Sequence, residues 1–248
     1  MTFLKKDEVN RSNIIIMDVD ETLFPFTEAY CALLRTKGYD VDTLAALERR
    51  QYSLDEWLTQ QGFGNETHCK GGMLCNHPIY VGEYAEVFPY MQKILREFND
   101  LQNSSPVQIH FVTHAVAVGS KFEAHKLAVV AAAMKLYAPD VEAKYHSVPI
   151  EMPKDEFIGK HIGDRIDLMF DDSLNNIARM IASDHIHVNS YYIPLMHHNV
   201  FYPETVDGLA RMKKSKMRHC AVEAPNYLTA EQLHDTLQMR ITEIQASA

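Results

Sequence analysis

The sequence predicts an α/β protein built on a doubly wound, mostly parallel sheet, with a helical cap inserted after the first strand. Short apolar stretches recur along the chain, and helical patterns separate most of them. Strands that alternate with helices form parallel sheets with helices on both faces. The alternation fails once, between Pro25 and about Gly82, where helical patterns follow one another without a strand.

The apolar stretches predict five strands, at residues 14–17, 107–112, 145–150, 166–170 and 186–193. Each is too short for a typical buried helix. Pro89 is expected to open a helix whose apolar face includes Ile94, Leu95 and Phe98. The segments SLDE at Ser53 and TAEQ at Thr229 fit capping boxes, which mark helix starts.

The interruption predicts three short cap helices, in TEAYCALLRTKG, DTLAALERRQ and SLDEWLTQQG. We therefore expect a core formed by residues 1–26 and 83–248, with a cap formed by residues 27–82.

Composition limits the possible partners and surroundings. Hydrophobic residues make up 46% of the 248 residues, which suits a sizeable globular core, and the formal charge is −9. A negative protein is repelled by nucleic-acid backbones and anionic lipid, so neither is an expected partner. The sequence has no stretch approaching the roughly 18 apolar residues of a membrane span, and its sparse cysteines fit thiols in a reducing compartment. A cytoplasmic protein is expected, and homo-oligomer formation stays open.

The segment IIIMDVDETLFPF, residues 14–26, ends an apolar run in two carboxylates, Asp18 and Asp20. Two ionised carboxylates held close together repel, and burial removes their hydration, at a cost of several kcal/mol unless a cation or proton compensates. Asp-x-Asp also opens calcium-binding EF-hand loops, but Leu23 and Ala29 stand where such a loop needs glycine and glutamate. Something cationic other than an EF-hand calcium ion is expected there.

Polar residues follow or end three of the predicted strands, and ligands of parallel sheets bind at the carboxyl ends of strands. The group comprises Asp18, Asp20, Thr113, Asp171 and Asp172. Asp171, Asp172 and Ser173 have an alternative explanation, because DDS before a helix also provides a good N-cap.

The ordered set DVDET, FVTHA, a lysine and MFDDS resembles the haloacid dehalogenase superfamily of phosphohydrolases, which have a Rossmann-like core. Within it, DVDETLFP and DDSLNNI look closest to the pyrimidine 5'-nucleotidase-like members. The chain departs from the pattern of these members at three points: Glu21 and His114 stand where asparagine is common, and Pro153 precedes Lys154 instead of following it. These departures bear on the identity of the substrate and not on the phosphate chemistry.

The resemblance implies a Mg²⁺-dependent phosphatase that forms an aspartyl phosphate. Asp18 would be the nucleophile and Asp20 the general acid and then base. Asp18, the backbone carbonyl of Asp20 and Asp171 would hold Mg²⁺, with Asp172 ranked behind Asp171. Thr113, with His114 beside it, would bind the phosphoryl group, and Lys154, or alternatively Lys160, would neutralise it.

The expected substrate is a small phosphorylated metabolite, with a nucleoside 5'-monophosphate the favoured case. A phosphotransferase or phosphomutase that uses the same phosphoenzyme is the alternative, followed by a non-catalytic phosphate-binding protein.

Two further groups have ordinary explanations. The loop with His68, Cys69, Cys75 and His77 lacks a CxxC pair, which favours a loop of thiols and imidazoles over a zinc site. The basic run at residues 211–219 is typical of a solvated helix face and not of a nucleic-acid site.

Overall fold

The computed structural model describes residues 12–51, 53–64, 67, 79, 86–115, 121–194, 196 and 220–223. His68, Cys69, Cys75, His77, the basic run at 211–219 and the capping box at Thr229 lie outside these residues.

Strands and helices alternate along most of the described chain. The strands are β1 (Asn13–Met17), β2 (Val107–Ala115), β3 (Glu142–Pro149), β4 (Arg165–Phe170), β5 (His187–Pro194) and β6 (Cys220–Glu223). The helices are α1 (Phe26–Thr36), α2 (Thr43–Leu47), α3 (Leu54–Gln60), α4 (Pro89–Leu101), α5 (Lys121–Tyr137), α6 (Lys154–His161) and α7 (Leu174–Ala182).

The six strands form one parallel sheet in the order β3-β2-β1-β4-β5-β6. This order confirms the predicted α/β class with a Rossmann-like sheet. β1 lies between β2 and β4, with Met17 paired to Phe111 on one side and to Phe170 on the other. The strand order reverses at β1, so the carboxyl ends of β1, β2 and β4 meet at the point where such sheets bind ligands.

Helices cover both faces of the sheet because side chains alternate along each strand. Ile15 and Met17 join an apolar cluster with residues of α4 and α5, including Leu95 and Phe98. Ile16 points to the other face and packs in a second cluster with residues of α6 and α7, including Ile158 and Ile177. The sheet is therefore doubly wound, as predicted.

The helices α1, α2 and α3 follow β1 before the next sheet element, and no described residue between them forms a strand. Ser53 is the N-cap of α3, as predicted, and its hydroxyl accepts a hydrogen bond from the Glu56 amide at 3.4 Å. Tyr30 of α1 and Leu58 of α3 are buried in the same cluster as Ile15 and Met17. The inserted helices thus pack onto the α4/α5 side of the core.

Several predicted bounds are corrected. β2 extends to Ala115, so Thr113 and His114 lie within the strand. β3 begins at Glu142, three residues before the predicted start, and α2 ends at Leu47 well before the end of its predicted segment. β6 was not predicted and adds a strand beyond β5. Within the described residues, none of the helices is long and apolar enough to cross a membrane.

Candidate active site

The first acidic motif is shaped by a tight turn at the end of β1. The Asp18 amide donates a hydrogen bond to the Phe170 carbonyl of β4 at 2.9 Å, which holds the strand end in the sheet. The amides of Leu23 and Phe24 both donate to the Val19 carbonyl, at 2.9 and 3.1 Å. The chain therefore folds back directly after the two aspartates, which lie at the carboxyl end of β1.

Lys154 joins two of the predicted residues. Its Nζ lies 2.8 Å from Asp18 Oδ1 and 2.8 Å from Asp171 Oδ2, and all three side chains are buried. Lys154 is the first residue of α6, directly after Pro153, so the helix start fixes the stem of the side chain. Lys160 lies exposed near the end of the same helix. Of the two candidate lysines, Lys154 is the one in contact with the carboxylates.

The electrostatics of this trio follow from burial and mutual attraction. Burial raises the pKa of Asp18, the Lys154 ammonium opposes that rise, and the Asp171 carboxylate adds to it. Burial alone would lower the pKa of Lys154, but Asp171 and Asp18 more than offset it, so the pKa is raised. Lys154 therefore remains a cation in the interior.

Asp171 also accepts hydrogen bonds from the start of α7. Its Oδ1 accepts from the Ser173 amide at 2.9 Å, and Asn176 Nδ2 lies 3.1 Å from both oxygens. Ser173 is the N-cap of α7, as the capping explanation held, with its hydroxyl accepting from the Asn176 amide at 3.4 Å. The capping and site explanations of DDS are thus compatible, because different residues of the motif carry them.

Asp18, Asp171 and Asp172 offer one oxygen each within 4.8 Å of one another, and all three are buried. The Asp172 amide donates to Thr22 Oγ1 at 3.1 Å, which ties the second acidic motif to the first. Hard carboxylate oxygens at this spacing match the ligand preference of Mg²⁺. Asp171 accepts hydrogen bonds from Lys154, Ser173 and Asn176, and the common limit of 4.8 Å does not rank Asp171 against Asp172 as a metal ligand, so the predicted ranking stays a prediction.

Lys126 of α5 is a site residue that sequence reasoning missed. Its Nζ lies 2.6 Å from Asp20 Oδ2 and 3.1 Å from Thr113 Oγ1, and its side chain is 3% exposed. Asp20 is more accessible, with 29% of its side chain exposed. The structure thus brings Asp20 and Thr113 together through a cation located 106 residues after Asp20.

His114 lies beside this group on β2. Its Nε2 is 3.1 Å from the Met152 carbonyl oxygen, so the ring nitrogen that carries the proton is set by that acceptor. Burial lowers the pKa of His114, and Lys154 and Lys126 contribute to the shift in the same direction. A neutral imidazole has a single N–H, and because Nε2 donates it to the Met152 carbonyl, Nδ1 is left as a hydrogen-bond acceptor.

Glu21 of the DVDET motif faces away from this chemistry. Its Oε1 accepts from the Thr27 amide at 2.8 Å and from the Thr27 hydroxyl, so it satisfies the start of α1, where Pro25 provides no side-chain acceptor. Burial raises its pKa to about 7, against the opposing effects of Thr27 and Arg49. Its φ of 58° lies in the left-handed region, which a non-glycine residue adopts here within the tight turn.

Comparisons with known proteins add little to the geometry. No family model matches the chain, and no curated protein matches it. Among solved structures, the chain is similar to a Bacteroides fragilis protein described as a "putative haloacid dehalogenase-like hydrolase". The similarity covers 86% of this chain and 96% of that chain, with 12% identity and a TM-score of 0.39. Values this low leave the assignment of function to the residues of the site.

Proposed function

We propose that this protein is a Mg²⁺-dependent phosphatase of the haloacid dehalogenase type that hydrolyses a small phosphomonoester through an aspartyl phosphate. The observation that carries the proposal is the meeting of Asp18, Asp171 and Asp172 around a position next to the Lys154 ammonium. A carboxylate nucleophile, an acidic metal site and a buried cation are the parts that phosphoryl transfer needs, since positioning and charge stabilisation dominate its catalysis.

The first half-reaction would transfer the phosphoryl group to Asp18. The carboxylate oxygen of Asp18 attacks phosphorus, the bond from phosphorus to the ester oxygen breaks, and Asp20 gives its proton to that leaving oxygen. Asp20 suits this role because its side chain is more exposed than that of Asp18, so a leaving group can reach it. The alcohol then departs.

The second half-reaction would release phosphate. Asp20, now ionised, accepts a proton from a water molecule whose oxygen attacks phosphorus, and the bond from phosphorus to Asp18 breaks. Asp18 regains its carboxylate, and one ester and one water have become one alcohol and one phosphate. An acyl phosphate hydrolyses more readily than an alkyl phosphate, so two easier steps replace one slow step.

The donor set fits a divalent cation. With all four carboxylates ionised, Asp18, Asp20, Asp171 and Asp172 and the ammonium groups of Lys126 and Lys154 carry a formal charge of −2 together, and the proton that Asp20 takes up before the first half-reaction reduces it to −1. Asp18, Asp171, Asp172 and the backbone carbonyl of Asp20 would hold Mg²⁺, which supplies charge neutralisation at the phosphoryl oxygens. Lys154 donates to both Asp18 and Asp171 and so offsets the repulsion between the two carboxylates.

The substrate side of the proposal follows the resemblance. Thr113 would bind the phosphoryl group through its hydroxyl, and His114 would do so only if its Nε2–H turned from the Met152 carbonyl to the phosphoryl group. A nucleoside 5'-monophosphate is the first substrate to test. The division into a core of residues 1–26 and 83–248 and a cap of residues 27–82 belongs to the same proposal.

The test is hydrolysis of a panel of phosphorylated metabolites with Mg²⁺ by wild type, Asp18→Asn and the control Asp184→Asn. Asp184 is exposed and lies beyond the end of α7. We expect Asp18→Asn to reduce kcat by about three orders of magnitude or more, because the amide oxygen is a poor nucleophile. Asp184→Asn should match wild type.

A second readout concerns the intermediate itself. Wild type quenched during turnover should retain a phosphoryl group that hydroxylamine releases, and Asp18→Asn should retain none. Equal turnover by wild type and Asp18→Asn, or a phosphoryl group that survives the substitution, would overturn the assignment of the nucleophile.

A further inference from the structure

Lys126 was not among the predicted site residues, because no sequence motif indicated it. It lies in the second turn of α5, its Nζ is 5.1 Å from the centre of the Phe122 ring, and its side chain is almost fully buried. A buried ammonium group is costly unless it is paired and hydrogen-bonded. Both of its described hydrogen-bond partners, Asp20 and Thr113, are residues of the proposed site.

The contact with Thr113 sets the direction of the threonine hydroxyl. An ammonium group only donates hydrogen bonds, so Thr113 Oγ1 must accept at 3.1 Å. A hydroxyl has one proton, and that proton then points away from Lys126. The hydroxyl is thereby prepared to donate to an anionic oxygen, which is the role that a phosphoryl group requires of it.

The contact with Asp20 distinguishes the two carboxylate oxygens. Oδ2 lies 2.6 Å from the Lys126 Nζ, so this oxygen is held by the ammonium group. The proton that Asp20 exchanges with a leaving group must then be carried by the opposite oxygen, Oδ1. The ion pair with Lys126 thus favours one orientation of the Asp20 carboxyl group.

We propose that Lys126 is a positioning residue of the active site, which orients Asp20 toward the leaving oxygen and the Thr113 hydroxyl toward the phosphoryl group. The inference rests on the proposed function. The two lysines then have different roles. Lys154 compensates the charge of the nucleophile Asp18 and of Asp171, whereas Lys126 orients the group that transfers the proton.

This division predicts a dependence on the leaving group. An alkoxide is strongly basic and leaves only with a proton, whereas p-nitrophenolate leaves without one. General acid catalysis contributes about 10² to 10⁴ in rate where it is needed. We expect Lys126→Met to reduce kcat/KM for an alkyl phosphate about 100-fold, and for p-nitrophenyl phosphate about tenfold or less.

The control is Lys135→Met, which removes an exposed lysine from the same helix and should leave both rates unchanged. The readout that separates positioning from a merely structural role is a double-mutant cycle with Asp20→Asn. If Lys126 acts through Asp20, Lys126→Met should cost little more on the alkyl ester in the Asp20→Asn background. Should Lys126→Met fail to fold, Lys126→Gln, which keeps a hydrogen-bond donor without charge, replaces it throughout.

The outcomes are distinguishable. A selective, non-additive loss on the alkyl ester supports the inference. Equal losses on both substrates, additive losses with Asp20→Asn or an unchanged variant overturn it while the phosphatase proposal stands. If wild type hydrolyses neither ester with Mg²⁺, the proposed function fails and this inference fails with it.

Discussion

At the scale of single residues, Lys154 is central to the site because its charge offsets the repulsion between two buried carboxylates. Its ammonium group contacts Asp18 and Asp171 at 2.8 Å each, in a region almost without water. Removing one partner of a buried ion pair leaves the other charge uncompensated, which costs about 3 to 5 kcal/mol. The same cation would also stabilise the negative charge that develops on a transferring phosphoryl group.

We therefore predict that Lys154→Met lowers the free energy of unfolding by about 3 kcal/mol in the absence of Mg²⁺ and reduces kcat at least 100-fold. Urea denaturation and steady-state hydrolysis measure the two effects. The matched control is Lys160→Met in the same helix, which removes an exposed charge and should change neither quantity appreciably. Equal effects of the two substitutions would contradict the assignment of Lys154, in preference to Lys160, as the lysine that stabilises the phosphoryl group.

The residues of the site differ in how far the sequence predicts them. Asp18, Asp171 and Asp172 sit next to apolar strands, so strand pattern and topology together place them at one edge. Lys126 has no such signal, because a lysine within a helical pattern predicts an exposed side chain. Its burial depends on how α5 packs against β2 and on the acceptors that Asp20 and Thr113 present, and neither is encoded locally.

At the scale of elements, the pairing of β2 with β3 contains a histidine pair. His110 and His146 occupy adjacent strands, their rings stack 5.2 Å apart with planes 8° from parallel, and Nδ1 of His110 lies 3.1 Å from Nε2 of His146. One nitrogen must donate and the other accept, which is possible only while at least one ring is neutral. Burial first, and then His146 and Lys144, lower the pKa of His110 to about 4, against an opposing effect of Glu142.

The sign of the pH dependence follows. Between pH 4 and 6.5 the unfolded chain binds a proton at residue 110 that the folded chain does not, so stability falls as the pH falls through this range. The loss from His110 amounts to roughly 3 kcal/mol near pH 4. We expect His110→Phe to flatten the curve of unfolding free energy against pH, whereas substitution of the exposed His185 by Gln should leave its slope unchanged. Parallel curves for wild type and His110→Phe would contradict this.

The position of a strand in the sheet determines how well the sequence predicts it. The apolar pattern located β1, β2 and β4 because they are interior strands, buried on both faces. β3 lies at one end of the described sheet and begins with the exposed residues Glu142 and Lys144, so its apolar run is shorter than the strand. β6 spans four residues at the other end, too short for a periodic signal.

At the scale of the whole molecule, the fold gathers acidic groups from sequence positions 18 to 172 at the reversal point of the sheet, in a chain of net charge −9. Proximity of this kind is unfavourable by itself, because carboxylates within 4.8 Å repel in a region of low dielectric. The two buried lysines offset part of the repulsion. With all four carboxylates ionised, the six groups keep a formal charge of −2, which one divalent cation would neutralise. Binding of the divalent ion should therefore raise the free energy of unfolding.

This imbalance gives two linked predictions for thermal unfolding, one for the ion and one for a carboxylate. Mg²⁺ at 100 times its Kd should stabilise the fold by about 3 kcal/mol, which raises Tm by about 5 to 10 °C, while Na⁺ at equal ionic strength controls for screening. Asp172→Asn relieves repulsion, so without Mg²⁺ its Tm should equal or exceed that of wild type, and with Mg²⁺ most of the rise should disappear. Asp184→Asn should behave as wild type. A stabilising effect of Mg²⁺ that survives Asp172→Asn would place the ion elsewhere, because a site that holds one ion by three carboxylates cannot lose a ligand without losing affinity.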